Sequence, residues 1–312
     1  MKFFLYHVVM KLNIKNETSR LRSVVLGIAN NNGPIPVPEA CYDPKSRLHV
    51  LNGTYPKEAD MIRELEEVAK VFEKYNVEVY RPKIIENYNQ IFARDICFVI
   101  EDKIFLANIL PDREREVDAI EHVWSQVEKS NRIRLPEDCH IEGGDVMLWN
   151  EYIFIGTYLG SDYANFITAR TNMAAINALK TYFPHKKIKY FNLRKSNTDP
   201  YNNALHLDCC FQPVGKDKAI IHKNGFLDEE DYKWLLDFFG KKNVFEIDKQ
   251  EMYDMNSNIF SIDENTVISE VNFIRLNNWL EELGFTVEKV NYAEIAKQEG
   301  LLRCTTLPLI RD

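Results

Sequence analysis

Residues 146–155 read VMLWNEYIFI, residues 173–183 read MAAINALKTYF, and residues 188–193 read IKYFNL. The first stretch holds two short apolar runs that a turn separates, which is typical of two paired strands. The second stretch spaces its apolar residues by three, three and four, which places them on one face of an α-helix. The third alternates like a strand. This part of the chain therefore predicts a unit of strand, strand, helix and strand.

The same unit recurs along the chain about every fifty to sixty residues, a period that indicates a cyclic or stacked array. Helical faces with the same spacing are Ile62, Leu65, Val68, Phe72; Val117, Ile120, Val123, Val127; Tyr232, Leu235, Phe239; and Phe273, Leu276, Leu280. Each of these segments stands between strand-like runs. Five units follow, and the count favours one closed α/β domain over residues 1–312 rather than two domains.

Polar residues stand at the same place in successive units, at the start of the first strand: Asp95, Asp145, Asp208 and Asn258. If the units surround an axis, these strand starts converge at one central mouth, where separate motifs can share a ligand. In an ordinary α/β sheet the same residues would only cap turns. The pattern alone leaves both arrangements open.

Composition excludes several classes of protein. The 312 residues are 45% hydrophobic and 28% charged, with a formal net charge of -8 and no basic run, which argues against nucleic-acid binding. The start at Met1–Met10 is apolar, but His7 interrupts it and no small-residue cleavage site follows, so we expect neither a signal peptide nor a membrane span. Six cysteines without a CxxC pair indicate a reducing cytoplasm rather than a zinc ribbon or a disulfide framework.

Cys304 lies in the polar stretch RCTTLP, residues 303–308. An Arg neighbour and Thr hydroxyls form the kind of loop that can lower a thiol pKa, although a free cysteine is often only a small buried apolar residue. In NALHLDCCF, residues 203–211, strand alternation would put His206 and Asp208 on one face, which presents a proton carrier beside a carboxylate. A core histidine bonded to a backbone carbonyl is the alternative.

Glu142-Gly-Gly-Asp145 and the more distant Asp95 add three carboxyl groups. A turn with solvated acids would explain the first motif, but a planar cation with several N–H donors benefits from several carboxylates of fixed geometry. Together with a thiol and a histidine, these acids indicate attack by sulfur on an electrophilic carbon within a cationic group. A guanidinium is such a group, whereas a phosphate would be repelled.

At these residues the chain resembles the guanidino-group-modifying enzymes, or penteins, which include arginine deiminases, dimethylarginine dimethylaminohydrolases, agmatine deiminases and amidinotransferases. The matching motifs are Ser19–Gly27, Asn89-x-x-Phe92-x-Arg-Asp95, Glu142-Gly-Gly-Asp145, Arg170-Thr-Asn172, His206-x-Asp208 and Cys304. They follow the order of the family over nearly the whole chain. The resemblance implies a five-bladed α/β propeller, a small guanidino substrate and neither a metal nor an organic cofactor.

The resemblance also implies roles for the residues. Cys304 corresponds to the nucleophile, His206 to the proton donor and later the base, and Glu142 to the acid that pairs with the histidine. Asp95 and Asp208 correspond to the carboxylates that grip the guanidinium, whereas Asp145 could instead hold a loop.

For the other end of the substrate, the resemblance points to Asn89 and Phe92 as contacts. Arg113 or Arg115, together with Arg170, are candidates to clamp a substrate carboxylate through bidentate hydrogen bonds, unless they only form surface ion pairs.

Two segments depart from the relatives. Glu299–Arg303 replaces a glycine-rich approach to the cysteine, so the final loop is expected to shape the pocket differently. Tyr158–Thr168 looks like an insertion that serves as a lid or an oligomer contact. Both changes bear on substrate identity more than on the chemistry.

The stretch Arg170-Thr-Asn-Met-Ala-Ala-Ile favours a hydrolase of the deiminase or dimethylargininase type. An amidinotransferase, which passes the amidino group to an amine, is the alternative. A non-catalytic binding propeller fits less well because it has no use for Cys304, His206 and Glu142 together. A homodimer is possible by analogy with the family.

Overall fold

Each sheet of the protein contains three strands in the same internal arrangement. The computed structural model describes residues 9–312, so most of the apolar start considered for a signal peptide, residues 1–8, lies outside the described residues. Within that range five sheets are present, and in each a central strand pairs antiparallel with one neighbour and parallel with the other. The strands, sheet by sheet, are β1 (Leu21–Leu26), β2 (Glu78–Tyr80) and β15 (Thr306–Arg311); β3 (Cys97–Ile100), β4 (Lys103–Leu106) and β5 (Arg132–Arg134); β6 (Val146–Trp149), β7 (Tyr152–Thr157) and β8 (Lys187–Asn192); β9 (Phe211–Val214), β10 (Lys218–Ile221) and β11 (Val244–Glu246); and β12 (Phe260–Asp263), β13 (Thr266–Glu270) and β14 (Thr286–Val290).

Helices cross over between the second and third strands of each unit. A parallel neighbour requires such a crossover, because a tight turn joins only antiparallel strands. The predicted order of strand, strand, helix and strand is thus confirmed, and the fold is mixed α/β. The helices are α1 (Pro44–Leu51), α2 (Glu58–Lys74), α3 (Ala93–Ile96), α4 (Arg115–Ala119), α5 (Glu121–Trp124), α6 (Met173–Tyr182), α7 (Glu229–Phe239), α8 (Lys249–Tyr253) and α9 (Ile274–Glu282).

Apolar faces of the crossover helices are buried as their spacing predicts. In α2, Leu65, Val68 and Phe72 are buried against the sheets. The second unit differs from the prediction: its apolar residues are buried, but Ile120 leaves helical geometry and divides the segment into α4 and α5. In the second unit, two short helices rather than one therefore bury the apolar residues.

Both ends of the described chain meet in one sheet. Strand β1 pairs antiparallel with β15, with Val24 opposite Pro308, and Gly27 N donates to the Thr305 carbonyl at 2.9 Å. The other four sheets instead take their antiparallel pair from consecutive strands. This pairing sets Cys304, which directly precedes Thr305, beside the first unit.

Aromatic packing links neighbouring units. Phe154 of β7 lies 5.9 Å from Phe191 and 5.7 Å from Phe211 between ring centroids, so the core runs on from the third sheet into the fourth. Over residues 9–312, helices long and apolar enough to cross a lipid bilayer are absent.

Candidate active site

Polar residues occupy corresponding places just ahead of the first strand in four units. Asp95 lies in α3, Asp145 and Asp208 lie in short 3₁₀ turns, and Asn258 directly precedes β12. All four side chains are buried. Their places match the spacing prediction, but the backbone at Asp95, Asp145 and Asp208 is a helical turn rather than a strand. The expectation that strand alternation orients His206 and Asp208 was therefore wrong, because Asp208 belongs to the turn and His206 precedes it.

Hydrogen bonds join these turns to one another. Asp145 accepts from Leu207 N at 2.9 Å through Oδ1 and from the Thr171 hydroxyl at 2.7 Å through Oδ2. Both of its oxygens are thus used inside the protein, which favours the loop-holding role over ligand binding. Arg94 N donates to the Cys304 carbonyl at 3.0 Å, which ties α3 to the end of the chain.

His206 and Glu142 form a buried pair. The imidazole Nε2 donates to Glu142 Oε2 at 2.7 Å, while Nδ1 faces Asp95 Oδ1 at 3.7 Å. Burial opposes a charged imidazole, but the Asp95 carboxylate and the hydrogen bond to Glu142 outweigh it and raise the pKa of His206. Glycine is required behind the ring, because a Cβ at Gly144 would lie 2.7 Å from His206 Cγ. The site therefore holds an imidazole that favours its protonated form.

Asp95 presents a free oxygen in this cluster. Its Oδ2 accepts from Arg113 Nη1 at 2.9 Å, but its Oδ1 is buried and has no hydrogen-bond partner among residues 9–312. An unpartnered buried carboxylate oxygen is costly, and a bound N–H donor would remove that cost. Asp95 also lines the cavity described below, so such a donor can reach it.

Cys304 is surrounded by polar groups although it is only 2% exposed. Asn258 Nδ2 lies 3.1 Å from Sγ, and Asn258 Oδ1 accepts from the Cys304 backbone N at 3.1 Å. Sγ also lies 3.6 Å from Asp208 Oδ2. Burial, followed by the Asp208 and Asp95 carboxylates, raises the pKa of the Cys304 thiol well above its usual range. The expectation of a lowered thiol pKa was wrong, because burial and the nearby carboxylates both disfavour the thiolate.

Arg303, which was expected to lower the thiol pKa, is paired with carboxylates instead. Its guanidinium is fully buried and donates to Asp208 Oδ2 at 2.8 Å, to Glu17 Oε2 at 3.1 Å and to the Val146 carbonyl at 2.7 Å. Burial alone would raise the pKa of Glu17, yet Arg303 lowers it to about 2. The arginine next to the cysteine thus donates to carboxylates rather than to the thiol, and it occupies one oxygen of Asp208.

A cavity of about 310 Å³ leads to the thiol. Cys304, His206 and Asp95 line it, as do the predicted contacts Asn89 and Phe92. The Asn89 amide is itself engaged, because Nδ2 donates to Gln298 Oε1 at 2.7 Å and Oδ1 accepts from Ile91 N at 3.0 Å. Aromatic side chains form much of the remaining wall: Tyr42, Tyr55 and Tyr88.

The three arginines proposed for a substrate carboxylate lie in different settings. Arg113 donates to Asp95 and Glu116, and Arg170 donates to Glu142, all as buried ion pairs. Arg115 does not line the cavity and instead stacks over Tyr88 with its Cζ 5.2 Å from the ring centre. This arrangement disagrees with the expected carboxylate clamp, since the two arginines that reach the cavity are already neutralised by protein acids.

The two departing segments also lie in different places. Glu299 and Gly300 of the final loop line the cavity, as expected, and a Cβ at Gly300 would lie 2.3 Å from the Phe92 ring. The segment 158–168 forms a loop whose residues are absent from the described cavity lining. Its role as a lid or an oligomer contact stays a prediction.

Asp95, Glu142 and His206 offer three possible metal ligands within 4.8 Å of one another. Arg170 lies 3.1 Å and Arg113 3.8 Å from the same Glu142 oxygen that binds the histidine. These arginine cations already pair with the carboxylates and would repel a metal ion, so the residues fit a metal-free hydrogen-bond network better.

Several important residues did not emerge from the sequence as site residues. Asn258 was visible only as the fourth polar strand-start residue, although it holds both Sγ and the backbone of Cys304. Glu17 and Glu116 carried no motif. Their roles depend on Arg303 and Arg113, to which they are paired in space.

Comparisons with known proteins agree with this architecture. Residues 54–311 match the sequence model of the family described as N,N dimethylarginine dimethylhydrolase, eukaryotic. The uncharacterized protein YkgA of Bacillus subtilis (strain 168) is 29% identical over 247 residues, which is 78% of each chain.

Two solved structures are similar in fold. SxtG, an amidinotransferase from Microseira wollei in the saxitoxin biosynthetic pathway, has a TM-score of 0.75 at 18% identity and covers 96% of this chain and 97% of its own. A mutant dimethylarginine dimethylaminohydrolase (DDAH) from Pseudomonas aeruginosa, complexed with citrulline, has a TM-score of 0.69 at 15% identity and covers 93% of this chain and 100% of its own.

Proposed function

The chain belongs to the N,N dimethylarginine dimethylhydrolase family, within the guanidino-group-modifying superfamily, and we propose that it hydrolyses a C–N bond of a guanidinium compound through a covalent intermediate on Cys304. The observation that carries this proposal is that Cys304, Asp95 and His206 line one cavity, with Asp208 beside the thiol and Glu142 beside the imidazole, and that a buried Asp95 oxygen has no donor among residues 9–312. A guanidinium supplies such donors.

Substrate binding and thiol ionisation are coupled in this proposal. The guanidinium N–H groups donate to Asp95 Oδ1 and to the free acceptor capacity of Asp208. The carboxylates that raise the thiol pKa then face a cation, so the Cys304 proton is released to solvent more readily. The reactive thiolate therefore forms mainly when substrate is present.

The reaction proceeds in two halves. Thiolate Sγ attacks the guanidinium carbon, and the tetrahedral adduct collapses when the protonated His206 gives its Nδ1 proton to the departing amine, which leaves a thiouronium on Cys304. Neutral Nδ1 then takes a proton from water as the water oxygen attacks the same carbon. Collapse expels the thiolate and releases a ureido product. Glu142 holds Nε2 throughout and supports the imidazolium.

We further propose that residues 1–312 form one catalytic domain in which the five sheets close into a five-bladed propeller. The pairing of β1 with β15 supports closure, since it joins the two ends of the chain. The six free cysteines support a cytoplasmic location. The homodimer stays a prediction.

The test uses the purified full chain with arginine, dimethylarginine, agmatine and simple alkylguanidines, and measures ureido product and released amine. Cys304→Ala is expected to abolish turnover and keep the fold, whereas Cys139→Ala, which removes a buried free thiol away from the cavity, should retain both. Product that forms only after an acceptor amine is added would instead establish amidino transfer. Full activity of Cys304→Ala would refute the mechanism.

A further inference from the structure

The balance of charge around the cavity bears on the tail of the substrate, and this inference rests on the proposed function. Two guanidinium groups and five carboxyl groups line the cavity in the described part of the chain. The acids are Asp43, Asp95, Asp112, Glu116 and Glu299. Whether the cavity can bind a substrate carboxylate therefore depends on how completely protein acids already pair with the two arginines.

Arg113 is fully engaged by protein carboxylates. Its Nε and Nη2 donate to the two oxygens of Glu116 at 2.8 and 3.1 Å, and its Nη1 donates to Asp95 at 2.9 Å. The fork–fork contact with Glu116 is the same geometry with which an arginine would hold a substrate carboxylate. Glu116 thus occupies the face of Arg113 that a substrate would need.

Arg170 is engaged in the same way. Its Nη1 lies 3.2 and 3.1 Å from the two oxygens of Glu142, its Nε donates to the Ile167 carbonyl at 2.6 Å, and its Nη2 donates to the Tyr42 carbonyl at 2.7 Å. Every nitrogen of this guanidinium donates within the protein. Drawing Arg170 to a ligand would leave Glu142, the partner of His206, with less compensation for its buried charge.

Lys45 is not among the described residues that line the cavity. Lys45 is 3% exposed, and its Nζ bonds the Tyr253 carbonyl and lies 4.3 Å from the centre of the Tyr253 ring. Glu299, which does line the cavity, accepts from the Lys45 backbone N at 3.4 Å through Oε2 and from Asn203 Nδ2 at 2.6 Å through Oε1. A carboxylate on the ligand would therefore meet Asp43 and Glu299 rather than an available ammonium group.

We propose that the cavity selects guanidinium compounds whose tail carries no carboxylate, that is, alkylguanidines with an uncharged or amine-bearing end. An anionic tail would be buried among acids without an unpaired cation, which is unfavourable, whereas the aromatic walls at Tyr42, Tyr55 and Tyr88 suit an alkyl chain or an ammonium group.

Three compounds with the same four-carbon chain test this proposal: pentylguanidine, agmatine and 5-guanidinopentanoate, whose chains end in methyl, ammonium and carboxylate. We expect kcat/KM for 5-guanidinopentanoate, and also for arginine, to be at least ten-fold below that of the better of the other two. Equal or higher kcat/KM for either carboxylate compound overturns the proposal.

Turnover of none of the compounds would refute the proposed hydrolase, and calorimetric Kd values for the same set then decide tail selectivity by themselves. Weaker binding of the carboxylate compounds supports it. Equal binding of all the compounds, or binding of none of them, overturns it.

Glu116→Gln supplies a second measurement. It is a ratio of two kcat/KM values, so a lower fraction of folded enzyme does not change it. Loss of the Glu116 charge leaves Arg113 less occupied, so the ratio of kcat/KM for pentylguanidine over 5-guanidinopentanoate should fall several-fold. Glu114→Gln, which changes an exposed acid two residues away, is the matched control and should leave the ratio unchanged. A ratio that is the same in both variants would show that the Arg113–Glu116 pair does not set tail specificity.

Discussion

Cys304 Sγ lies 3.6 Å from Asp208 Oδ2, the same oxygen to which the neighbouring Arg303 donates at 2.8 Å. One carboxylate oxygen therefore contacts both the thiol and the buried guanidinium of Arg303. Because Arg303 is paired with Asp208 and the thiol is buried beside that acid, the arginine next to the cysteine in sequence does not lower the thiol pKa.

The first prediction concerns alkylation of Cys304. Because burial, Asp208 and Asp95 raise its pKa, the thiol is protonated near neutral pH in the empty protein, and its rate of alkylation by iodoacetamide should keep rising beyond pH 9. Asp208→Asn removes one of the carboxylates that raise this pKa, so it should lower the pKa and speed alkylation at pH 8 several-fold. Mass spectrometry of the Cys304 peptide measures the rate.

The control for this experiment is Asp217→Asn, which alters an exposed acid on the turn between β9 and β10. It should leave the rate at Cys304 unchanged. Fast alkylation at pH 7 that does not vary with pH would contradict the raised thiol pKa.

The second prediction concerns the pH profile. The folded protein raises the pKa of His206 through Asp95 and Glu142, so the imidazolium that acts as proton donor persists to higher pH than a free histidine would. Glu142→Gln should lower that pKa, move the alkaline limb of the kcat profile to lower pH, and reduce kcat by about 100-fold. Steady-state kinetics from pH 5 to about 10 measure the shift.

Glu137→Gln, an exposed change in the same loop, should keep the profile of the unaltered protein. An unshifted alkaline limb in Glu142→Gln would show that Glu142 does not raise the pKa of His206.

The third prediction concerns acid stability. The pKa of Glu17 is about 2 in the folded protein, below its usual value, so its contribution to stability is present above the unfolded pKa and is lost as pH falls towards 2. Glu17→Gln should lower the free energy of unfolding at pH 7 by about 3 kcal/mol, because Arg303 keeps its buried charge with one partner fewer. The difference should shrink progressively below about pH 4.

Urea unfolding of the full chain at several pH values measures this difference. Glu151→Gln, which breaks the exposed pair with Lys187, is the control and should leave the free energy of unfolding nearly unchanged. A Glu17→Gln effect that is independent of pH would contradict the assignment.

The fourth prediction concerns Gly144. A Cβ at this position would lie 2.7 Å from His206 Cγ and 2.8 Å from Nδ1, so Gly144→Ala should displace the imidazole. We expect kcat to fall about 100-fold, because misplacing a catalytic group by about 1 Å has an effect of this size. Comparison of kcat with the thermal midpoint separates displacement from unfolding, and an unchanged kcat would show that the ring accommodates the methyl group.

Much of the site could be predicted from sequence because its residues stand in local motifs. Asp95, Glu142, His206 and Cys304 each belong to such a motif, and folding brings all four together. The roles of Arg113 and Arg170 could not be predicted in the same way. Their partners are decided by geometry, and Arg170 lies 28 residues from Glu142, so local spacing carries no signal for the contact.

The sequence by itself determined the repeating unit, since the periods of apolar residues follow directly from helix and strand geometry. It also determined which residue types stand at the start of each unit. Tertiary structure alone decided the electrostatics of the site. Burial of Cys304, followed by the Asp208 and Asp95 carboxylates that folding brings close to it, raises the pKa of the thiol, and none of these causes can be read from the neighbouring Arg303 in the sequence.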